Sequence, residues 1–149
     1  MGKAVATNKK AYRDFFLTDS CECGIELKGG EVKSVRAGKV NFKDTFARVD
    51  KGQVYLYNLH IDPYVQASYL NEEADRPRRI LLHKKEIKKL TVAVDIKKLT
   101  LVPTKIYFNA RGYVKVELAL GKGKKLYDKR EDIKKRDVNR DIGRAMRGR

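Results

Sequence analysis

The stretch Val40–Leu59, VNFKDTFARVDKGQVYLYNL, reads as two extended runs around a tight turn. Val40 and Phe42, then Phe46 and Val49, alternate with polar residues, and Val54–Leu59 returns with the same character. A period of two marks a strand with one buried face. Asp50-Lys51-Gly52 between the runs provides turn chemistry, so the pair predicts a β-hairpin. The pattern recurs near the end of the body. Thr100–Phe108 and Tyr113–Leu120 are β-rich and joined by Asn109-Ala110-Arg111-Gly112, a four-residue hairpin loop. Phe15–Leu27 is a further extended segment, stopped by Gly29-Gly30.

Two helices are predicted among these strands. Glu31–Gly38 has Val32 and Val35 at i,i+3 and a glycine stop. Leu81–Lys98 places Ile87, Leu90 and Val94 on one side, with Leu99 just beyond its end continuing that side, and lysines on the other, an amphipathic pattern. Asp62-Pro63 and Asn71–Arg79 are expected as loop, and residues 1–11 as disordered or loosely held. Residues 1–120 therefore form a mainly β body of about six strands, mostly antiparallel. Closing so small a sheet removes its exposed edges, which predicts an antiparallel β-barrel of oligonucleotide-binding (OB) type with about two or three helices. An open sheet with one helical layer is the alternative.

Residues 121–149 have a different character. They carry twelve Lys and Arg against five Asp and Glu, +7 of the net charge of +16 over 149 residues. Large apolar residues are few and form no continuous stripe. The cations are better organised: Lys129, Arg136, Arg140, Arg144 and Arg147 fall on one side of a helical wheel. An isolated helix of this length is marginal in water. The expectation is a tail disordered alone and helical against phosphate. Gly121-Lys122-Gly123-Lys124 lacks the spacing of a Walker A loop. It reads, with Lys125, as a flexible basic hinge whose glycines let the backbone approach a nucleic acid.

The charge of both parts points to a polyanion, with nucleic acid or the ribosome the usual one. No apolar run suits a signal peptide or a membrane span, so a cytoplasmic protein is expected. Cys21 and Cys23 form a C-x-C pair on one face of a strand, a poor geometry for a mutual disulfide. With His60 and His83 they match no standard zinc spacing, so neither a metal nor a cofactor is expected. No nucleophile elbow, zincin motif or acid–base dyad is recognisable, which argues against an enzyme. Recognition remains. Lys9, Lys10, Lys33, Arg36, Lys39, Arg76, Arg78, Arg79, Lys84 and Lys85 lie in or near ordered segments. Tyr12, Tyr55, Tyr57, Tyr64, Tyr69 and Tyr127 are interleaved with them and offer rings for packing or for stacking on unpaired bases. These features fit a general RNA-binding or ribosome-associated protein with a solubilising basic tail as well as a more specialised one.

Seven ordered motifs narrow that choice. They are N-K-K-A at Asn8–Ala11, C-G-I-E-L at Cys23–Leu27, G-x-E-V-K-S-V-R-A-G-K-x-N at Gly29–Asn41 and N-x-H-I-x-P-Y at Asn58–Tyr64. R-P-R-R-I-L-L-H-K-K-E-I at Arg76–Ile87, T-L-V-P at Thr100–Pro103 and G-K-G-K-K-x-Y-D-K-R at Gly121–Arg130 follow. Together they resemble the SmpB family, bacterial proteins that bind transfer-messenger RNA (tmRNA, SsrA RNA) in trans-translation. The resemblance covers nearly the whole chain.

The resemblance implies an OB-type barrel that binds the tRNA-like domain of tmRNA and brings it to the vacant A site of stalled ribosomes. It implies elongation factor Tu in the GTP form and 16S rRNA of the small subunit as partners. Alanyl-tRNA synthetase enters indirectly, through the alanylated RNA, and the protein itself is expected as a monomer. Carried over by position, the tmRNA-binding residues are Asn8, Glu22, Leu81 and His83; family members commonly have Asn where His83 stands. For Glu22 this suggests a hydrogen bond to a base edge or an orienting pair with a lysine, and for Leu81 a packing role. Lys9, Lys10, Lys33, Arg36, Lys39, Arg78, Arg79, Lys84, Lys122, Lys124 and Lys125 complete the expected RNA surface. In the tail, Gly123 corresponds to a bend, and Tyr127, Asp128, Lys129 and Arg130 to a decoding-centre contact. Arg136, Arg140, Arg144 and Arg147 would then follow the empty mRNA channel, in place of codon–anticodon pairing.

Overall fold

The Val40–Leu59 hairpin forms as β3 (Val40–Asp50) and β4 (Gln53–Ile61), with Asp50 opposite Gln53. Its two turn residues, Lys51 and Gly52, both have positive φ, +50° and +74°. That is the primed turn whose twist matches the flanking strands. The structure is a computed structural model that describes residues 4–64, 73–124 and 126–147. The remaining elements are β1 (Ala4–Thr7), α1 (Lys9–Asp14), β2 (Phe15–Ile25), α2 (Gly29–Arg36) and β5 (Arg78–Leu81). They continue with α3 (Lys84–Asp95), β6 (Thr100–Phe108), β7 (Val114–Gly123) and α4 (Leu126–Arg147).

Six strands close on themselves in the order β6-β3-β4-β5-β2-β7, and β7 returns to β6, all antiparallel. This is a closed barrel of OB type, with β1 added outside the ring against β6. Its interior holds Val35, Leu56, Leu59, Ile80, Ile106 and Leu118, each no more than 1% exposed. α3 adds Ile87, Leu90 and Ala93 to that core. Cys21 and Cys23 lie on one side of β2, their Sγ atoms 3.7 Å apart and unbonded.

Several expectations change. Residues 1–11 are not loose where they are described: Ala4–Thr7 pairs with β6, and α1 begins at Lys9. Asn8 is buried and caps α1, its Oδ1 accepting from the N–H of Ala11 at 3.3 Å. A four-residue strand carries too little alternation to be seen in sequence. The last two residues of the expected loop, Arg78 and Arg79, instead open a strand, β5, hidden in the sequence by those two arginines. α3 starts at Lys84 rather than Leu81. β7 runs through Gly123, so the first three residues of the expected hinge are in the sheet. Tyr69 lies outside the described residues.

Phe46 also changes face. Lys43–Thr45 stand opposite Asn58 alone, a bulge that includes Asp44 at φ +54° and Asn58 at φ +62°. The extra residues reverse the alternation. Ala47 and Val49 join the core with Val40 and Phe42, while Phe46 turns outward beside Tyr57.

One polar group sits inside this apolar frame. Arg78 is 1% exposed, and all five of its N–H donors can be accounted for. Nε donates to Glu31 Oε2 at 2.6 Å, and Nη2 lies 2.5 Å from the same oxygen. Nη1 donates to the carbonyls of Leu59 (2.6 Å) and Arg76 (3.2 Å), and Nη2 also to that of Ala74 (3.0 Å). Glu31 Oε1 accepts from the N–H of Lys28 at 2.9 Å and from Arg76. Burial alone would raise the Glu31 pKa. The donated hydrogen bonds and the Arg78 charge outweigh it and hold the carboxyl below its ordinary value.

Removing one member of a buried pair leaves the other uncompensated, so Arg78→Ala should cost about 3–5 kcal/mol in chemical denaturation at neutral pH. Because the folded pKa of Glu31 is depressed, its contribution is present above the unfolded value, about 4.3, and lost as pH falls through the folded one. Glu31→Gln should therefore be less stable at pH 7 and lose less stability than the parent below about pH 4.

Candidate nucleic-acid interface

The alternation of β2 sends Cys21, Cys23 and Ile25 inward and leaves Glu22 and Gly24 outside. Register then assembles an outer face. Gly24 stands beside Leu81 of β5 and Lys115 of β7, and Glu22 stands beside Glu117. Gly24 has a steric reason to be glycine, because a Cβ there would lie 3.2 Å from Leu81 Cβ. Leu81 lies over that bare backbone and is 46% exposed. His83 is exposed two residues further on, at the N-cap of α3, where its side chain caps nothing.

Two carboxylates directly opposite on adjacent strands are unfavourable unless each has a donor. Each has one here. Glu22 accepts a hydrogen bond from the hydroxyl of Tyr107, itself 2% exposed. Burial and the adjacent carboxylate push the Tyr107 phenol well above its ordinary pKa, which keeps it a donor. Glu117 accepts from Thr104 Oγ1 at 2.6 Å and lies 3.9 Å from Lys105 Nζ. The carbonyls of Pro103 and Thr104 in turn accept from Asn8, from Nδ2 at 2.8 Å and from the backbone N–H at 2.7 Å. Asn8 and Glu22, distant in sequence, thus sit at two sides of one polar face over β6, β7 and β2. Glu22 pairs with a tyrosine rather than a lysine. The amide of Asn8 is engaged at both ends, so Asn8 positions α1. Tyr107, Thr104 and Glu117 escape a sequence reading because the bulge after Pro103 shifts the register of β6.

The arginine run at Arg76–Arg79 divides. Strand alternation sends Arg78 inward to Glu31 and Arg79 outward, where it pairs with Glu26 at 3.1 Å. Arg78 is therefore no part of an RNA surface. Lys9, Lys39, Lys84 and Lys122 are exposed. Lys10 pairs with Asp44 at 2.7 Å. Lys33 Nζ lies 5.2 Å from the Tyr64 ring, and the Arg36 guanidinium 5.5 Å from that of Phe108. Among the described residues no three His, Cys, Asp or Glu side chains gather as metal ligands, and no helix is long and apolar enough to cross a membrane.

The tail expected to be disordered alone is helical here, as α4. Its described side chains are exposed, Arg130, Arg136, Arg140 and Arg144 among them. Arg140 pairs with Asp137 at 3.6 Å. The helix is tethered just before its start and again midway along it. The N–H of Lys124 donates to the Asp14 carbonyl at 2.9 Å, and Lys124 Nζ and Arg136 Nη2 each reach the Tyr12 carbonyl at 3.4 Å. Gly123 is exposed, with open space where a side chain would be. Lys125 and the side chains of Tyr127, Asp128, Lys129 and Arg147 lie outside the described residues.

Comparison with known proteins agrees with this architecture. Residues 5–148 match the family model for the SmpB protein. An SsrA-binding protein of Thermosipho melanesiensis is 56% identical over 146 residues, 98% of this chain and 99% of its own. That of Carboxydothermus hydrogenoformans is 52% identical over 149 residues, 100% and 99% of the two chains. A solved chain described under "tmRNA-SmpB: a journey to the center of the bacterial ribosome" superposes with a TM-score of 0.68 at 52% identity. It covers 81% of this chain and 85% of that one. With the barrel, the tail and nearly every residue matched, the chain belongs to the SmpB protein family.

Proposed function

We propose that this protein binds the tRNA-like domain of tmRNA through its barrel and carries it to the A site of stalled bacterial ribosomes. There the tail replaces codon–anticodon pairing, and the nascent peptide is tagged for degradation. The names of its relatives, SsrA-binding proteins, and the tmRNA-SmpB structure it resembles support this reading. The observation that carries it is the contrast between the two parts. The barrel has a built polar face, whereas α4 exposes its described side chains to the surroundings.

On the barrel, Glu22, Leu81 and His83 form the centre of the RNA surface. Lys9, Lys10, Lys33, Arg36, Lys39, Arg79, Lys84, Lys122, Lys124 and Lys125 supply charge around it, and Asn8 sets its edge. The working division is body 1–120 and tail 121–149, with Gly121–Gly123 anchored in β7. In the tail, Gly123 gives the bend, and Tyr127, Asp128, Lys129 and Arg130 meet the decoding centre of 16S rRNA. Arg136, Arg140, Arg144 and Arg147 then follow the empty mRNA channel. Holding a helix in order costs roughly 1–2 kcal/mol per residue of backbone entropy. Phosphates lining an empty channel offset that cost, and a resident mRNA would exclude them, which discriminates without reading sequence. Elongation factor Tu in the GTP form accompanies delivery, and alanyl-tRNA synthetase acts on the RNA alone. The protein works as a cytoplasmic monomer that binds and positions RNA without chemistry of its own.

Deleting Leu126–Arg149 should leave tmRNA affinity within about threefold, under 1 kcal/mol, and abolish peptide tagging; a large loss of affinity would overturn the division of labour. Lys129→Glu, Arg136→Glu and Arg140→Glu together should reproduce the deletion in the same tagging assay. Affinity of the barrel for tmRNA, measured across a salt series, should fall steeply with a slope reporting several neutralised phosphates. A flat response would assign binding to stacking instead.

A further inference from the structure

The outer face of β3, β4 and β5 carries an aromatic and guanidinium platform that adjoins the Glu22–Leu81 face along β5, where Arg79, at the border of the two, shares the outer side with Leu81. The bulge in β3 makes it possible, by turning Phe46 outward opposite Tyr57. Their rings stack at 5.1 Å and 15°. Tyr55 follows on the same face, its ring 6.5 Å from that of Tyr57. Arg48 lies directly opposite Tyr55 on one side and Arg79 directly opposite it on the other. The Arg48 guanidinium sits 5.6 Å from the Phe46 ring and 5.9 Å from the Tyr57 ring. Three half-buried rings are thus interleaved with two exposed arginines, one of them tied to Glu26. A cleft of about 370 Å³ adjoins Phe46 and Arg48, where β3 and β6 share a single pair, Ala47 and Leu101.

The barrel core does not need these groups. Its own rows are complete on the inward face of both strands, and none of the three rings belongs to the core. Outward rings on a sheet, flanked by cations, have the chemistry that holds unpaired bases. Each base has a π-face to stack, and each phosphate an arginine to meet. We propose that this face is a second RNA site, one that takes unpaired nucleotides by stacking on Phe46, Tyr55 and Tyr57 while Arg48 and Arg79 hold the backbone. It goes beyond the tmRNA reading and does not depend on it. A folded RNA elbow docks by shape and offers few splayed bases, whereas this platform requires them.

The test uses the full chain, a fluorescent oligouridylate and a duplex RNA of equal length. The single strand should bind more tightly than the duplex. Phe46→Ala and Tyr57→Ala should each weaken oligouridylate binding by about tenfold or more. Tyr57→Phe should restore it, and tmRNA affinity should stay unchanged in all three. Photo-crosslinking of a 5-bromouridine oligonucleotide to the unmodified protein should map to Phe46, Tyr55 or Tyr57, which keeps the test open if an alanine variant fails to fold. Folded alanine variants that bind the oligonucleotide like the parent, or crosslinks that fall only on the tail, would overturn the proposal. So would an unchanged oligonucleotide affinity with lost binding to a ribosomal protein, which would make the face a protein-docking surface. Loss of tmRNA binding by the parent chain would instead sink the earlier reading alone.

Discussion

The ion pair between Arg78 and Glu31 anchors the short strand through which the barrel closes. β5 is four residues long, yet among the described residues it alone links β4 to β2, with three register pairs on one side and two on the other. So short a strand cannot hold a ring by its ladder alone. Arg78 supplies what the ladder lacks. It points inward from β5, binds Glu31 of α2 and reaches the carbonyls of Leu59, Ala74 and Arg76. One side chain thereby ties a helix, the end of β4 and the approach to β5 to a single point. A charge this deeply buried is tolerable because every donor has an acceptor. It also fixes register, since a slip of one residue in β5 would send Arg79 into the core and Arg78 into solvent.

What lies outside the barrel follows from that closure. Once β5 is seated, Leu81 lies over Gly24, and the Glu22–Tyr107 and Glu117–Thr104 pairs form a continuous polar surface across three strands. The opposite consequence appears at the bulge in β3, which turns an aromatic residue away from the core and toward Tyr57. Both surfaces are by-products of how strands are paired. The tail escapes these constraints. With few large apolar residues, it is held to α1 by polar contacts from Lys124, just before α4, and from Arg136, midway along it, while its described side chains are exposed.

Legibility varied with the length of the pattern. The two hairpins and the amphipathic α3 were readable because each repeats its period over many residues. β1, β5 and α1 were not, since four to six residues show no period; β1 is four small residues, and charge dominates α1 and the start of β5. The R-P-R-R run illustrates the limit. Composition makes it one cationic block, whereas its backbone makes it two opposed faces. Of the RNA-site residues carried by the family resemblance, Leu81 and His83 stand exposed, Glu22 accepts a hydrogen bond from Tyr107 of the sheet, and Asn8 is withdrawn into a cap. Motifs located these residues, but no motif tells an exposed amide from a buried one.

By itself the sequence determined a mainly β body, its two long hairpins and a cationic helical spacing in the tail. These are local properties, set by side-chain period and by turn residues that restrict φ. The tertiary structure decided which charges are available, where the glycine and leucine of the outer face meet, and that the sheet closes at all. Those outcomes depend on contacts between residues far apart in the chain, such as Asn8 with Pro103, Glu22 with Tyr107 and Glu31 with Arg78. Such pairs form only when register and burial place the partners together, and a buried polar group then takes the nearest donor or acceptor because water is no longer there to serve it.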